Sequence, residues 1–401
     1  MFEICGKNIN VVLNKIIVKE VETIIVGGGI SGLSCAKTLF ENGKDFILLS
    51  DQIGGRMLAS KTFSADYGAA YVTSQYKNVL KYVDKNNKLN ISDYYFFDGN
   101  GFSTIFHYRH WKRIPNILRF FFYSKLVAMK LTKAFNKMKY REFRDCVNED
   151  PDLKYYWNTS AEKFLREKKF TSLNDFYGNA VCQSTLFAES KQLSALYYLS
   201  VAFPAILSAW QVNLKKTIKK LSYAYRSKII ISKVRKMKKR ANLFIVQTEK
   251  GKFFCKNVVL ALPYRSAIKI CDKVPRPKLL ESIFVFHIVG RRKDFLKEKP
   301  IVFLRPGHYD INILWKQSKG SDIIYSKHPK PDFKQYYEIY HIVKKVHWEH
   351  AITIPGKELI RQKLDTNLYL ASDYNLSGLE YCYLTGVFAA NQIISKKDNS
   401  I

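Results

Sequence analysis

Residues 21–37 read Val21-Glu-Thr-Ile-Ile-Val-Gly-Gly-Gly-Ile-Ser-Gly-Leu-Ser-Cys-Ala-Lys37. The apolar run Ile24 to Val26 predicts a buried strand, and it leads straight into Gly27-x-Gly29-x-x-Gly32, which opens a helix over Ser31–Asn42. A strand, this glycine spacing and a helix together predict a dinucleotide-binding turn. Gly27 permits the tight turn, Gly29 lets backbone approach a pyrophosphate, and Gly32 lets helix and strand pack closely. Ser31 stands in the first helical turn, where free N–H groups and the helix dipole favour an anion.

Leu33, Ala36, Leu39 and Phe40 give this helix an apolar face, and Gly43 ends it. A second strand, Phe46 to Leu49, completes a βαβ unit. An acid usually follows such a strand to bond the adenosine ribose. Here the position holds Ser50, with Asp51 beside it. Either Asp51 acts from a shifted backbone or the ribose contact is weaker; a missing acid also suits a nicotinamide cofactor carrying a 2′-phosphate.

Gly54-Gly55-Arg56-Met57 comes next, then Asp66-Tyr67-Gly68-Ala69-Ala70-Tyr71. Near the other end stand Asn367-Leu-Tyr-Leu-Ala-Ser-Asp373 and Gly378-Leu379-Glu380-Tyr-Cys-Tyr-Leu-Thr-Gly386. Between them, Ile229–Val234, Asn242–Thr248 and Phe253–Pro263 read as strands. In this order the segments resemble the flavin-containing amine oxidase superfamily, which includes protoporphyrinogen oxidases and carotenoid-type desaturases. The resemblance covers roughly residues 20–72, 228–266 and 366–394.

The resemblance implies an α/β fold: a Rossmann-like FAD-binding domain with a second α+β substrate domain of mixed sheet and helices. It divides the chain into an N-terminal extension (1–20), FAD-binding parts at 21–75, 226–270 and 351–401, a mainly helical substrate region at 76–225 and a substrate sheet at 271–350. It implies FAD contacts from Gly27, Gly29, Ser31, Gly32, Ser50 or Asp51, Gly55, Arg56, Gly68, Ala69, Val234, Asp373, Leu379 and Glu380. The Arg56 fork suits phosphate oxygens. Gly68 and Ala69 would leave room for the ring, Val234 would face adenine, and Asp373 would take a ribityl hydroxyl. Ser372 replaces a family glycine, and Tyr381-Cys382 replaces a small pair, so Tyr381 is expected to crowd the helix start. Cys382 follows the aspartate, whereas covalent attachment in the family uses a cysteine before it, so FAD is expected to be noncovalent.

FAD would carry the redox chemistry, so no acid–base triad is required. Trp348, in Val-His-Trp-Glu-His-Ala351, and Tyr71 are the candidate catalytic aromatics. The implied activity is hydride transfer from an amine, or from an apolar C–N or C–C substrate, with reoxidation by oxygen or another acceptor. A desaturase or porphyrinogen-type oxidase is the alternative within this class. A third reading is a basic membrane- or nucleic-acid-binding protein on a degraded flavoprotein fold, motivated by Ser50, Ser372 and Tyr381.

The formal charge of +32 over 401 residues is unevenly spread. Residues 1–100 hold 11 Lys/Arg against 10 Asp/Glu, and residues 101–240 hold 29 against 9. That excess calls for an anionic partner or substrate. No zinc-finger spacing, RNA-binding signature or Arg-rich repeat supports nucleic acid. A helix over Ile117–Met138 mixes Leu118, Phe121, Phe122, Leu126, Met129 and Phe135 with Lys or Arg at 119, 125, 130, 133 and 137. It fits either a membrane interface or a substrate-domain helix whose lysines snorkel into solvent. The uncharged run Leu193–Val212, interrupted by Pro204, is expected to be a buried helix pair rather than a bilayer span. Seven cysteines without Cys-x-x-Cys spacing suggest neither disulfides nor metal and favour a reducing compartment. The expected location is the cytoplasm, with attachment to an anionic membrane surface left open. Asn10–Val18 is expected to add an edge strand or short helix.

Overall fold

The computed structural model describes residues 17–60, 65–69, 71–202, 209–304, 307–317 and 320–396. Most of the expected edge element at 10–18, Ala70 and Pro204 therefore lie outside the described residues. β1 (Ile17–Gly28), α1 (Ile30–Glu41) and β2 (Phe46–Ile53) form the N-terminal unit.

β1 lies at the heart of an eight-stranded sheet. In spatial order its main path is Lys363–Asp365, Leu368–Leu370, Gly251–Leu260, β1, β2 and Ile229–Ile231. Ile24 stands opposite Val258 on one side and Ile47 on the other, both pairings parallel. Strands flanked in this way are covered on both faces and read as unbroken apolar runs. This is why Ile24-Ile25-Val26 and Val258-Val259-Leu260 are buried. The expected single strand at 229–234 divides. It stops at Ile231, Ser232 donates its N–H to Ser50 O at 2.8 Å, and Val234–Arg240 begins a hairpin with Leu243–Thr248.

The C-terminal helix, Leu379–Ser395, packs across α1. Ser34 Oγ donates to Tyr383 O at 2.7 Å, and Thr385 Oγ1 bonds Ser31 Oγ at 3.3 Å. Gly386 permits the approach: a Cβ there would sit 2.0 Å from Ser31 O. Thus residues more than 340 positions apart meet at one helix crossing.

The second sheet has seven strands, in the order Tyr337–Ile354, Leu279–Arg292, Ser321–Ser326, Ile313–Lys316, Ile301–Phe303, Tyr94–Phe97 and Phe102–Ser103. The sequence placed this sheet within 271–350, but two of its strands come from the region expected to be mainly helical. A third sheet joins Tyr71–Thr73, Ala209–Val212 and Lys85–Leu89. The described end of the uncharged run is therefore a strand and not the second helix of a pair. The run supplies helix Ala195–Ala202 and strand Ala209–Val212. A short apolar run carries no periodicity that separates a buried strand from a buried helix; pairing on both sides with Tyr71–Thr73 and Lys85–Leu89 decides it.

The long basic helix is α2 (Ile114–Lys137), started by Pro115 in its first turn. Its inner face buries Ile117, Phe120, Val127, Leu131 and Ala134. Among the described residues, no helix is long and apolar enough to cross a membrane.

Candidate functional site

One cavity of about 590 Å³ reaches from the first sheet to the second. Its volume suits a bound small molecule. At one end are Gly27 to Ser31, Ser50 to Gln52 and Gly54 to Met57, closed by Ala261 to Pro263. At the other are Tyr71, Tyr94, Ile301, Phe303, Trp315 and Tyr325.

The glycine end is built for close backbone approach. Gly27 has φ +112°, and a Cβ on it would lie 2.2 Å from Ala261 O. A Cβ on Gly32 would lie 1.9 Å from Gly27 O. Gly27 and Gly32 thus serve the turn and its packing, and Gly32 is absent from the cavity wall. Gly29 differs, since a Cβ there would meet nothing within 4 Å. The first helical bond of α1 runs from Leu33 N–H to Gly29 O at 2.9 Å. The N–H groups of Ile30, Ser31 and Gly32 consequently precede the helix ladder and have no partner within it. This open glycine beside unladdered donors fits a dinucleotide pyrophosphate.

Ser50 lines the cavity, but its hydroxyl is occupied twice. It accepts from Gly28 N–H at 3.0 Å and donates to Gln52 O at 2.6 Å. Ser50 thereby ties the end of β2 to the glycine turn, leaving Asp51 as the nearby carboxylate on the cavity wall. The following loop is tied in as well, by Gly54 N–H donating to Gly28 O at 2.8 Å. Gly55 packs against Gly29, with its Cβ position 3.1 Å from the Gly29 Cα.

Arg56 lines the cavity and spans it to the C-terminal segment. Its Nη1 and Nη2 donate to Asp373 Oδ2 at 2.8 Å and Oδ1 at 2.7 Å, and Nη1 also donates to Ala351 O. Burial alone would raise the Asp373 pKa, but the Arg56 charge and its hydrogen bonds bring it down to about 2. Ser372 Oγ adds a bond to Asp373 Oδ1 at 2.9 Å. This pair was not legible in sequence, because the resemblance assigned each partner to the cofactor and not to the other.

Leu379 is on the wall with Gly378 and Cys382, so the C-terminal helix begins at the cavity. Tyr381 does not crowd that start. It is buried away from the cavity against Phe143, ring centroids 5.1 Å apart. Glu380 is not on the cavity wall either. Its carboxylate accepts from Asn78 N, Asn78 Nδ2 and Val79 N at 2.9, 2.7 and 2.9 Å. Val234 also lies off the wall, at the start of the hairpin, and packs on the apolar cluster of the first sheet.

Gly68 and Ala69 do line the cavity. Gly68 is demanded by packing, however: a Cβ would fall 1.6 Å from Arg56 O. Tyr325 Oη holds the same segment, donating towards Tyr67 O at 3.2 Å and Gly68 O at 3.1 Å. Of the sheet aromatics, Trp315 and Tyr325 face the cavity, while Phe284, Phe286 and Tyr309 pack in the cluster behind. Replacing Tyr325 with Phe leaves these buried carbonyls without their donor and is expected to cost about 1–3 kcal/mol in urea unfolding. A change under about 0.5 kcal/mol would deny Tyr325 this role.

Tyr71 and Trp348 both line the cavity. Tyr71 stands 6.1 Å from Trp315, and burial pushes its hydroxyl up to about 12. Trp348 is half-buried opposite Ile283. Of the neighbouring histidines, His347 is exposed and stacks on Phe284 at 4.2 Å, whereas His350 is buried and bonds Thr353 Oγ1 at 2.8 Å. Burial, helped by the Arg56 and Arg265 charges, lowers His350 to about 4. Among the described residues no lysine lines the cavity. The three lining carboxylates are Asp51 at the phosphate end, Asp373 on Arg56 and Glu349 beside Arg265 at 3.6 Å.

Residues 25–85 match the family model of the NAD(P)-binding Rossmann-like domain. Flavin-containing amine oxidase A of Sus scrofa is 39% identical over 66 residues, covering 15% of this chain and 12% of the pig enzyme. The alignment to that curated relative therefore spans only about an eighth of its length. A triple mutant of putrescine oxidase superposes with TM-score 0.64 at 12% identity, covering 95% of this chain and 100% of that one. A putative protoporphyrinogen oxidase from Exiguobacterium sp. 255-15 gives 0.62 at 12%, covering 95% and 99%. At such identities the likeness is one of fold.

Proposed function

We propose that this chain, built on the fold of the flavin-containing amine oxidase superfamily, is an FAD-dependent oxidoreductase acting on a small substrate through an apolar carbon next to nitrogen or carbon. The observation that carries the reading is the continuity of one cavity from the glycine turn to the aromatic wall. Gly29, Ser31, Gly55 and Arg56 would hold the diphosphate, Asp51 the adenosine ribose, and Asp373 with Leu379 the flavin end. Bound FAD supplies the two-electron acceptor. The protein's part is to position the substrate. Tyr71, Trp315 and Trp348 offer flat apolar walls, and the buried Tyr94 hydroxyl, with no partner among the described residues, offers one polar contact. The Ser50, Ser372 and Tyr381 departures each have a structural role, so they give no support to a degraded site.

Oxidation of a C–C bond, as in the desaturase or porphyrinogen-oxidase reading, gains support from the lining. Among the described residues, the lining carboxylates Asp373 and Glu349 face Arg56 and Arg265, and Asp51 lies at the phosphate end, so the aromatic wall offers a charged amine no carboxylate free of a cation. The purified protein is expected to be yellow and to release FAD on denaturation. Anaerobic bleaching of its flavin by a panel of neutral lipophilic amines and polyenes separates the two readings. A colourless protein that takes up no added FAD would overturn both.

A further inference from the structure

We propose that the outward face of α2 is a docking surface for an anionic lipid bilayer. α2 is apolar on two opposite sides. The inner side, with Ile117, Phe120, Val127 and Leu131, is buried. The outer side carries Ile114, Leu118, Phe122, Leu126 and Met129, spaced three or four apart and all exposed. Leu118, Phe122 and Met129 are 58%, 60% and 54% exposed. Residues three and four apart share one helix face. Trp111, 65% exposed, stands just before the helix. Nine of the 17 exposed large hydrophobic side chains among the described residues fall between Phe106 and Tyr140. A monomer in water gains nothing from such a concentration, which marks an interaction surface.

Charge identifies the occupant. Between Asp98 and Glu142 the chain has ten Lys or Arg and no Asp or Glu. Lys112, Lys125 and Lys133 are exposed beside the apolar stripe. An apolar stripe rimmed by cations suits the headgroup–acyl boundary of an anionic leaflet. A second copy of this chain would bring the same cations face to face, because a twofold interface repeats one patch. A polynucleotide would pair with the lysines but leave Leu118, Phe122 and Met129 without apolar contact.

The docked position has a consequence for the main cavity. Ala128, Leu131 and Phe135 of α2 line a smaller cavity of about 70 Å³. Tyr71, Tyr76, Val201, Ser377 and Gly378 line both cavities. A bilayer on the outer face of α2 would thus lie about one helix diameter, about 10 Å, from walls shared with the main cavity.

The test uses the full chain and sedimentation with phosphatidylcholine vesicles, with and without phosphatidylglycerol. Binding is expected on the anionic vesicles, weakening as salt rises. The Lys125→Gln/Lys133→Gln pair is expected to lose about thirtyfold in affinity. The Leu118→Glu/Phe122→Glu pair should abolish binding while keeping the wild-type circular dichroism and unfolding midpoint, because both side chains are exposed. Wild-type protein that stays in the supernatant, or binding indifferent to both pairs, would overturn the proposal. So would a lipid-free dimer that Leu118→Glu/Phe122→Glu dissociates, or polynucleotide binding which that pair leaves intact in the absence of vesicle binding.

Discussion

Arg56→Ala is expected to destabilise the protein by about 3 kcal/mol, because it leaves the buried Asp373 carboxylate without its counter-charge. Asp373 is 2% exposed and carries a bidentate guanidinium contact. Without Arg56 its carboxylate keeps the Ser372 hydroxyl but loses its counter-charge. Arg56→Lys should recover only part of the loss, since an ammonium cannot reproduce the planar fork. The double variant Arg56→Ala/Asp373→Ala should be less damaged than Arg56→Ala alone, because it leaves no orphaned charge. Urea unfolding of the set measures this. An Arg56→Ala midpoint equal to wild type would refute the pair's structural weight.

The same cleft predicts acid lability. Asp373 has a folded pKa of about 2, below its unfolded value of about 3.9. Its stabilisation is therefore complete above about pH 5 and is lost as pH falls towards 2. His350 is held at about 4, below an unfolded value of about 6.5. Its contribution is present above about pH 6.5 and is lost as pH falls through 4. Stability should decline in two stages. His350→Gln should remove the upper one and Asp373→Asn the lower.

Gly386→Val is expected to have a comparable effect by a different route. The new side chain would start 2.0 Å from Ser31 O and 2.2 Å from Ser34 Oγ. The first of these is backbone, so α1 and the C-terminal helix must separate. Overpacking of this kind costs about 3 kcal/mol or more when backbone has to yield. Gly29→Ala is the informative contrast. Gly29 has ordinary extended backbone (φ −75°), and its Cβ position is open. That variant should unfold like wild type yet take up FAD more weakly, its methyl group occupying the space assigned to the diphosphate. If Gly386→Val kept both stability and flavin, the helix crossing would not be what assembles the site. If Gly29→Ala bound FAD normally, the cradle would be misassigned.

The parts of the fold legible in sequence were those encoded over a few turns of chain. The βαβ unit could be read from 21–50 because strand, glycine turn and helix are neighbours whose spacing reflects their own geometry. The outer walls of the site were harder to read. Gly68 stood out, but the demand the fold places on it comes from the Arg56 carbonyl, 1.6 Å from where a Cβ would stand. Glu380 looked like a cofactor residue because the resemblance put the start of its helix at the flavin, yet the backbone of Asn78 and Val79 claims its carboxylate. Tyr325 carried no motif, and its contact with Tyr67 and Gly68 depends on strands that pair only in the folded sheet.

By itself the sequence determined a glycine-cradled nucleotide fold, the order of its three pieces and a strong positive charge in the middle of the chain. The tertiary structure alone decided that Arg56 grips Asp373, that the uncharged run ends in a strand, and which apolar side of α2 meets solvent. Local pattern records which side chains share a face. Which face is covered depends on elements hundreds of residues away, and a helix apolar on both sides leaves that choice to packing.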